Sequence, residues 1–114
     1  MNVAVVQGCL SSAPVERVLP SGDRMVSLEV SVPRRGPGQK GETVPVAWPN
    51  PPANAIDLAP GTQVMVLGRV RRRFFRVGGF TQSRTEVVAE SVVPLRRPKR
   101  VADLLAEAVA RLEA

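Results

Sequence analysis

The sequence predicts an all-β fold, a small five-stranded barrel with a long terminal hairpin, followed by one amphipathic helix. Three observations carry this. Valine dominates the apolar residues, while aromatics are scarce, with one Trp, three Phe and no Tyr. Gly and Pro recur along the chain and favour strands and turns over a helical bundle. Short runs alternate between apolar and polar residues: Val26, Leu28, Val30 and Val32 face one way, Met25, Ser27, Glu29 and Ser31 the other. At 114 residues there is room for one domain with a modest core.

The elements follow in order. Residues 2–10, NVAVVQGCL, are apolar on both faces and read as a buried strand, with Gly8 marking a bend or bulge. Residues 20–23, PSGD, form a turn between two strand-like runs. PRRGPGQKGE, residues 33–42, is a loop carrying Arg34, Arg35 and Lys40. TVPVAW, residues 43–48, is a short strand in which Pro45 suits an edge or a bulge. The proline-punctuated stretch 49–60 has room for at most one turn of helix near Ala53–Leu58. Residues 62–77 form a long strand, GGFT opens its turn, and residues 83–93 return as its partner. A barrel domain over 1–93 is thus followed by a basic linker, 94–100, and a helix, 101–114. The helix carries Val101, Leu104, Leu105, Ala108 and Leu112 on one face. Bent strands and a long hairpin are what a small closed barrel needs.

Composition narrows the function. Sixteen Lys and Arg against ten Asp and Glu give a net charge of +6, and fourteen of the sixteen cations are Arg. Arginine keeps its charge at any working pH and forks onto phosphate, so the excess points to a polyanionic partner. The chain has no His, its carboxylates are dispersed, and no phosphate-cradling glycine loop is present, so an enzyme is not expected. No cofactor, metal or small-molecule substrate is implied. The single Cys9 has no partner for a disulfide or metal site, which suggests a reducing compartment. Neither a secretory leader nor a membrane-spanning run is expected.

The segment GRVRRRFFRVGGFTQSRTEVV, residues 68–88, sets six arginines around three phenylalanines in what reads as two strands. Strand alternation puts Val64, Val66, Gly68 and Val70 on the inner face and Met65, Leu67, Arg69, Arg71, Arg73 and Phe75 on the outer one. Successive same-face residues stand roughly 7 Å apart. Charge at that spacing can follow the phosphates of a strand while a ring stacks on a base. Glu29, Glu86 and Glu90 are available as cross-strand partners, yet with Arg72, Arg76 and Arg84 the arginines outnumber the nearby acids. Phe74, on the inner face, is expected to plug the barrel end. Phe80, near the hairpin tip, suits either a contact to a strand or packing against another subunit. Trp48 suits either the core or a second stacking platform.

Residues 62–75, TQVMVLGRVRRRFF, followed by SRTEVVAESV, resemble the bacterial single-stranded DNA-binding protein family, whose fold is the oligonucleotide-binding (OB) barrel. NVAVVQGCLSSAPVERVLPSG is similar to that family's opening strand, bend and first hairpin, and the likeness covers about residues 2–93. The resemblance implies a five-stranded OB barrel, with Phe75 and Trp48 stacking on bases and Arg71 and Arg73 at or beside basic positions. The sequence departs from the family pattern at three places. The loop after the second strand has no aromatic, prolines 49, 51 and 52 interrupt the helix usual between strands three and four, and a helix replaces the acidic tail.

The expected function is therefore sequence-independent binding of single-stranded DNA in replication, recombination or repair, in a bacterial cytoplasm at the nucleoid. The expected site is Arg69, Arg71, Arg73, Phe75, Trp48, Arg34, Arg35, Lys40, Phe80 and Arg84. RNA stays open as a ligand, because stacking does not read the sugar. The family resemblance implies a homo-oligomer, dimer or tetramer, and no membrane. A primosome-type OB protein that recruits replication proteins, or an oligomeric scaffold without DNA binding, are the alternatives.

Overall fold

The computed structural model describes residues 1–33, 36–38 and 41–113. Its elements in chain order are β1 (Ala4–Leu10), β2 (Val15–Val18), β3 (Arg24–Val32), β4 (Glu42–Pro49), a 3-10 turn (Ala53–Asp57), β5 (Gln63–Val77), β6 (Phe80–Pro94) and α1 (Pro98–Glu113). The strands form one sheet in the order β1-β5-β6-β4-β3-β2, and a further pairing of β1 with β3 closes the ring. Every pairing is antiparallel except β4 with β6, where Val46 lies opposite Val87 and Ala47 opposite Val88.

There are six strands where five were expected, because the first is interrupted. Cys9 and Leu10 pair with Ser31 and Val30 of β3, and Val15 resumes the pairing opposite Ser27. Between them Ser11–Pro14 loop out, and Pro14 has no N–H to give to a ladder. Gly8 stands where β1 passes between β5 and β3: a Cβ there would overlap the Ser31 carbonyl, so only glycine permits this closeness. The single turn of helix anticipated near Ala53–Leu58 is present as the 3-10 turn.

The alternation read from β3 holds. Val26, Leu28 and Val30 are buried in the barrel core with Leu10, Val46, Trp48, Val64, Val66, Val87, Ala89 and Val92. A second apolar cluster lies on the opposite face of β5 and β6. There Met65, Leu67 and Val93 pack against Leu104 and Ala108 of α1. The helix begins three residues earlier than expected, with Pro98 in its first turn, where a missing N–H costs nothing. Its contact line is Val101, Leu104 and Ala108. Leu105 and Leu112, expected on the same face, are exposed beside Val109. Arg111 ties the far end of the helix to the barrel, 2.7 Å from Glu90 and 3.0 Å from Glu107. The hydrogen bond from Arg111 holds the Glu90 carboxyl below its ordinary range, against an opposing push from desolvation.

β5 and β6 pair over their whole length around a two-residue turn, Gly78–Gly79, with φ of 57° and 85°. Both values are left-handed, as a tight hairpin matched to the strand twist requires. β6 thus starts at Phe80, three residues before the expected return. The register slips between Leu67 and Gly68, which lie opposite Ser91 and Ala89, so Glu90 is the extra residue of a bulge.

Candidate nucleic-acid interface

Beyond the bulge the hairpin leaves the barrel. β5 pairs with β1 only as far as Gly68, and β6 pairs with β4 only at Val87 and Val88. Asn2 adds one last support: its side-chain amide donates to the Val70 carbonyl (2.8 Å) and accepts from the Val70 N–H (2.9 Å). From Arg71 to Glu86 the two strands pair only with each other and form an arm with two open faces.

On the first face the cross-strand neighbours are Arg71 with Glu86, Arg73 with Arg84, Phe75 with Gln82 and Val77 with Phe80. The strand phase read from the sequence is therefore correct for Arg69, Arg71, Arg73 and Phe75. This face continues into a groove of about 500 Å³ across the outer sides of β3 and β4, with Met25, Ser27 and Ala47 on its floor and Arg17 at its edge. The arginines here carry counter-ions. Glu86, only 6 % exposed, lies 2.6 Å from Arg71 Nη2 and 3.4 Å from Arg73 Nε. Arg84 Nη2 lies 3.2 Å from Glu29. Three guanidiniums thus share two carboxylates, and the face is only mildly positive. Arg71 Nε is sealed from solvent without an acceptor, so Glu86 satisfies this cation incompletely. Phe75 is half-buried, with the Arg73 guanidinium 5.4 Å from its ring centre.

The second face differs. It presents Val70, Arg72, Phe74 and Arg76 opposite Val87, Thr85, Ser83 and Thr81, with no carboxylate among them. Arg72 donates to the Ser83 hydroxyl (3.1 Å) and lies 5.5 Å from the Phe74 ring centre. Arg76 donates to the Gly79 carbonyl (3.1 Å). Neither cation has a carboxylate partner among the described residues. Phe74 is 65 % exposed and does not plug the barrel. The last residue of β5 in the barrel's inner core is Val66, so by Phe74 the strand has left the barrel behind.

Trp48 also departs from its place in the expected site. It is 6 % exposed within the barrel core, because β4 turns its side chain inward beside Val46, and it offers no stacking surface. Phe80 is 75 % exposed next to the turn. Arg69 is exposed at the root of the arm. Arg34, Arg35 and Lys40 lie outside the described residues. The sequence reading did not place Arg72, Phe74 and Arg76 in the site, and it took Glu86 as one of several equivalent acids. Counting outward from a Gly78–Gly79 turn would have set Glu86 opposite Arg71.

Among the described residues no cluster of His, Cys, Asp and Glu could hold a metal ion, and no helix is long and apolar enough to cross a membrane. No protein-family model and no curated protein matches the chain.

The Glu86 arrangement carries a prediction of opposite signs. Glu86→Gln removes the charge shared by Arg71 and Arg73 while keeping the shape. Chemical denaturation should show a stability loss of about 1–2 kcal/mol, because the amide oxygen still accepts but the charge that strengthens these hydrogen bonds is gone. Affinity for a polyanion should rise roughly threefold to tenfold, since one repelling charge is gone from the groove. A fall in both quantities would show that Glu86 orients the arginines for binding and does not merely mask them.

Proposed function

We propose that the protein binds single-stranded DNA without sequence preference through the arm and the adjoining groove, on an OB-type barrel. The barrel reading rests on topology. If β1 and β2 count as one bent strand, the ring order is first, second, third, fifth, fourth, with one parallel contact between third and fifth. In OB folds oligonucleotides lie across the second and third strands and the loop joining the fourth and fifth. Here those places are the groove on β3 and β4 and the β5–β6 arm.

The observation that carries the binding reading is the second face of the arm. Exposed Phe74 lies between Arg72 and Arg76, neither of which has a carboxylate partner among the described residues. A solvated charged surface has no use for an exposed ring, whereas a base stacks on it as phosphates meet the cations. Ser83, Thr81 and Thr85 add hydroxyls that can donate to phosphate oxygens. The first face supplies a second track, on which phosphates displace Glu86 and Glu29 from their arginines. The protein acts by binding alone, with no cofactor, in the cytoplasm of a bacterium. The exposed line of Leu105, Val109 and Leu112 supports self-association.

Fluorescence anisotropy with labelled oligo-dT tests this. Phe74→Ala should cost about 1–3 kcal/mol of affinity, the range for one stacked base, with an unchanged melting temperature. Phe75→Ala should cost less, because that ring is half-buried whereas Phe74 is open. Competition with duplex DNA and with single-stranded RNA sets the ligand class. Oligo-dT binding that is absent, or equal in the parent and in both variants, overturns the proposal and leaves the oligomeric scaffold.

A further inference from the structure

We propose that a second ligand site, separate from the arm, lies at the foot of the barrel and takes an acidic peptide bearing an apolar side chain. The site is a cleft of about 200 Å³ between the 3-10 turn and the start of α1. Its floor is apolar, made by Trp48, Ala55, Leu58 and Val92, and its rim carries Arg96, Arg97 and Arg100. Along β6 the cleft at Pro94 stands eight residues from Glu86. At strand rise that is roughly 26 Å from the groove.

Four observations point to an anionic group with an apolar part. The arginines of the rim form no ion pair among the described residues, like Arg72 and Arg76 of the arm, although Asp57 lines the same cleft. Arg100 and Lys99 also stand in the first turn of α1, which contains no acidic residue. The helix dipole makes that turn positive, so cations there are unfavourable unless an anion joins them. Trp48 is more than nine-tenths buried, lines the cleft, and its indole N–H finds no acceptor among the described residues. That nitrogen is not among the sealed unpartnered atoms, of which Arg71 Nε is the one found among the described residues, so it keeps some access to solvent. Buried indole N–H groups ordinarily have a partner. Lastly, Ala55, Leu58 and Val92 give the floor aliphatic carbon.

A peptide fits these features better than a continuing nucleic-acid strand. A strand needs an open track with ring faces to stack on. Here the concavity is closed at the base, and the one ring is turned into the core. Asp57 also lines the cleft. Its carboxylate opposes a run of phosphates but accepts from the N–H groups of a peptide backbone. The rim arginines fork onto the peptide's carboxylates, and its apolar side chain covers the floor.

The test uses the full chain and a fluorescein-labelled peptide of glutamates with one central leucine, read by anisotropy at low salt. The peptide should bind and shift the emission of Trp48. The Arg96→Ala/Arg97→Ala pair and Arg100→Ala should each weaken it at least tenfold, and an all-glutamate peptide should bind at least fivefold more weakly. These arginines are exposed, so the variants should melt with the parent. Oligo-dT affinity should stay within threefold in all of them, which keeps this outcome independent of the strand-binding reading. No peptide binding overturns the proposal. Equal binding of the all-glutamate peptide would reduce the cleft to a charged patch. A parallel loss of oligo-dT affinity would make the cleft part of the strand's path, and would overturn it as well.

Discussion

Affinity for oligo-dT is expected to fall about a hundredfold between 50 and 200 mM salt, along a straight line in log–log form, if about five phosphates are contacted at a slope near −0.7 each. The number comes from the arm. Arg72 and Arg76 have no carboxylate partner among the described residues, and Arg69 stands exposed at the root on the opposite face, where it forms no ion pair among those residues but senses Glu90. Each can displace a counter-ion from the strand at full effect. Arg71, Arg73 and Arg84 first have to leave Glu86 or Glu29, so their share is smaller. The two faces therefore make different contributions to one measurement. Arg72→Ala should flatten the slope by about 0.7. Arg71→Ala should flatten it less, because the charge removed was already shared with Glu86. Affinity indifferent to salt would refute phosphate binding altogether. A larger effect from Arg71→Ala than from Arg72→Ala would move the strand to the first face.

What the sequence could and could not show divides along this arm. The strand phase of Arg69, Arg71, Arg73 and Phe75 was legible, since period-two alternation is fixed by the pleat. The core positions Val26, Leu28, Val30, Val64 and Val66 were legible for the same reason. Phase, however, does not say where a barrel ends. Phe74 has the parity of Val64 and Val66, yet it is exposed, because β1 stops pairing at Gly68 and nothing covers the strand further out. The fate of Trp48 depended on which side of β4 faces the core, and Pro45, three residues before it, blurred the alternation that would have settled this. The break at Ser11–Pro14 was legible, since the first strand was read only as far as Leu10 and a separate strand-like run precedes PSGD. The pairing of both pieces along β3 was not, because only the closed ring brings Cys9 and Leu10 beside Ser31 and Val30. The helix was plain from its period. Its rotation was not, because Leu104 and Leu105 are equally apolar and only the packing on Met65, Leu67 and Val93 separates them.

That rotation supports the second large effect, a loss of stability on shortening Leu104. Leu104 is 4 % exposed and packs with Met65, Leu67 and Val93. An isolated helix the length of α1 is marginal in water, so this contact line is what holds it. Leu104→Ala should destabilise the fold by about 2–5 kcal/mol, through lost burial and the cavity left behind. For a chain of this size that lowers the melting temperature by roughly 10–20 °C. Leu105→Ala should leave melting almost unchanged, because Leu105 faces outward, and any change in its light-scattering mass would place the self-association surface on the Leu105–Leu112 line. Oligo-dT affinity should stay within threefold in both variants. The reason lies in the course of β5. Met65, Leu67, Arg69, Arg71 and Arg73 share one side of the strand, and α1 covers the apolar first part while leaving the charged second part open. The helix thus marks where β5 changes from supporting the barrel to presenting charge, and its own Asp103, Glu107 and Glu113 would repel a phosphate backbone. Equal melting losses in Leu104→Ala and Leu105→Ala would mean that α1 sits in a different rotation. A collapse of oligo-dT affinity in Leu104→Ala, with melting preserved, would make the helix part of the binding surface.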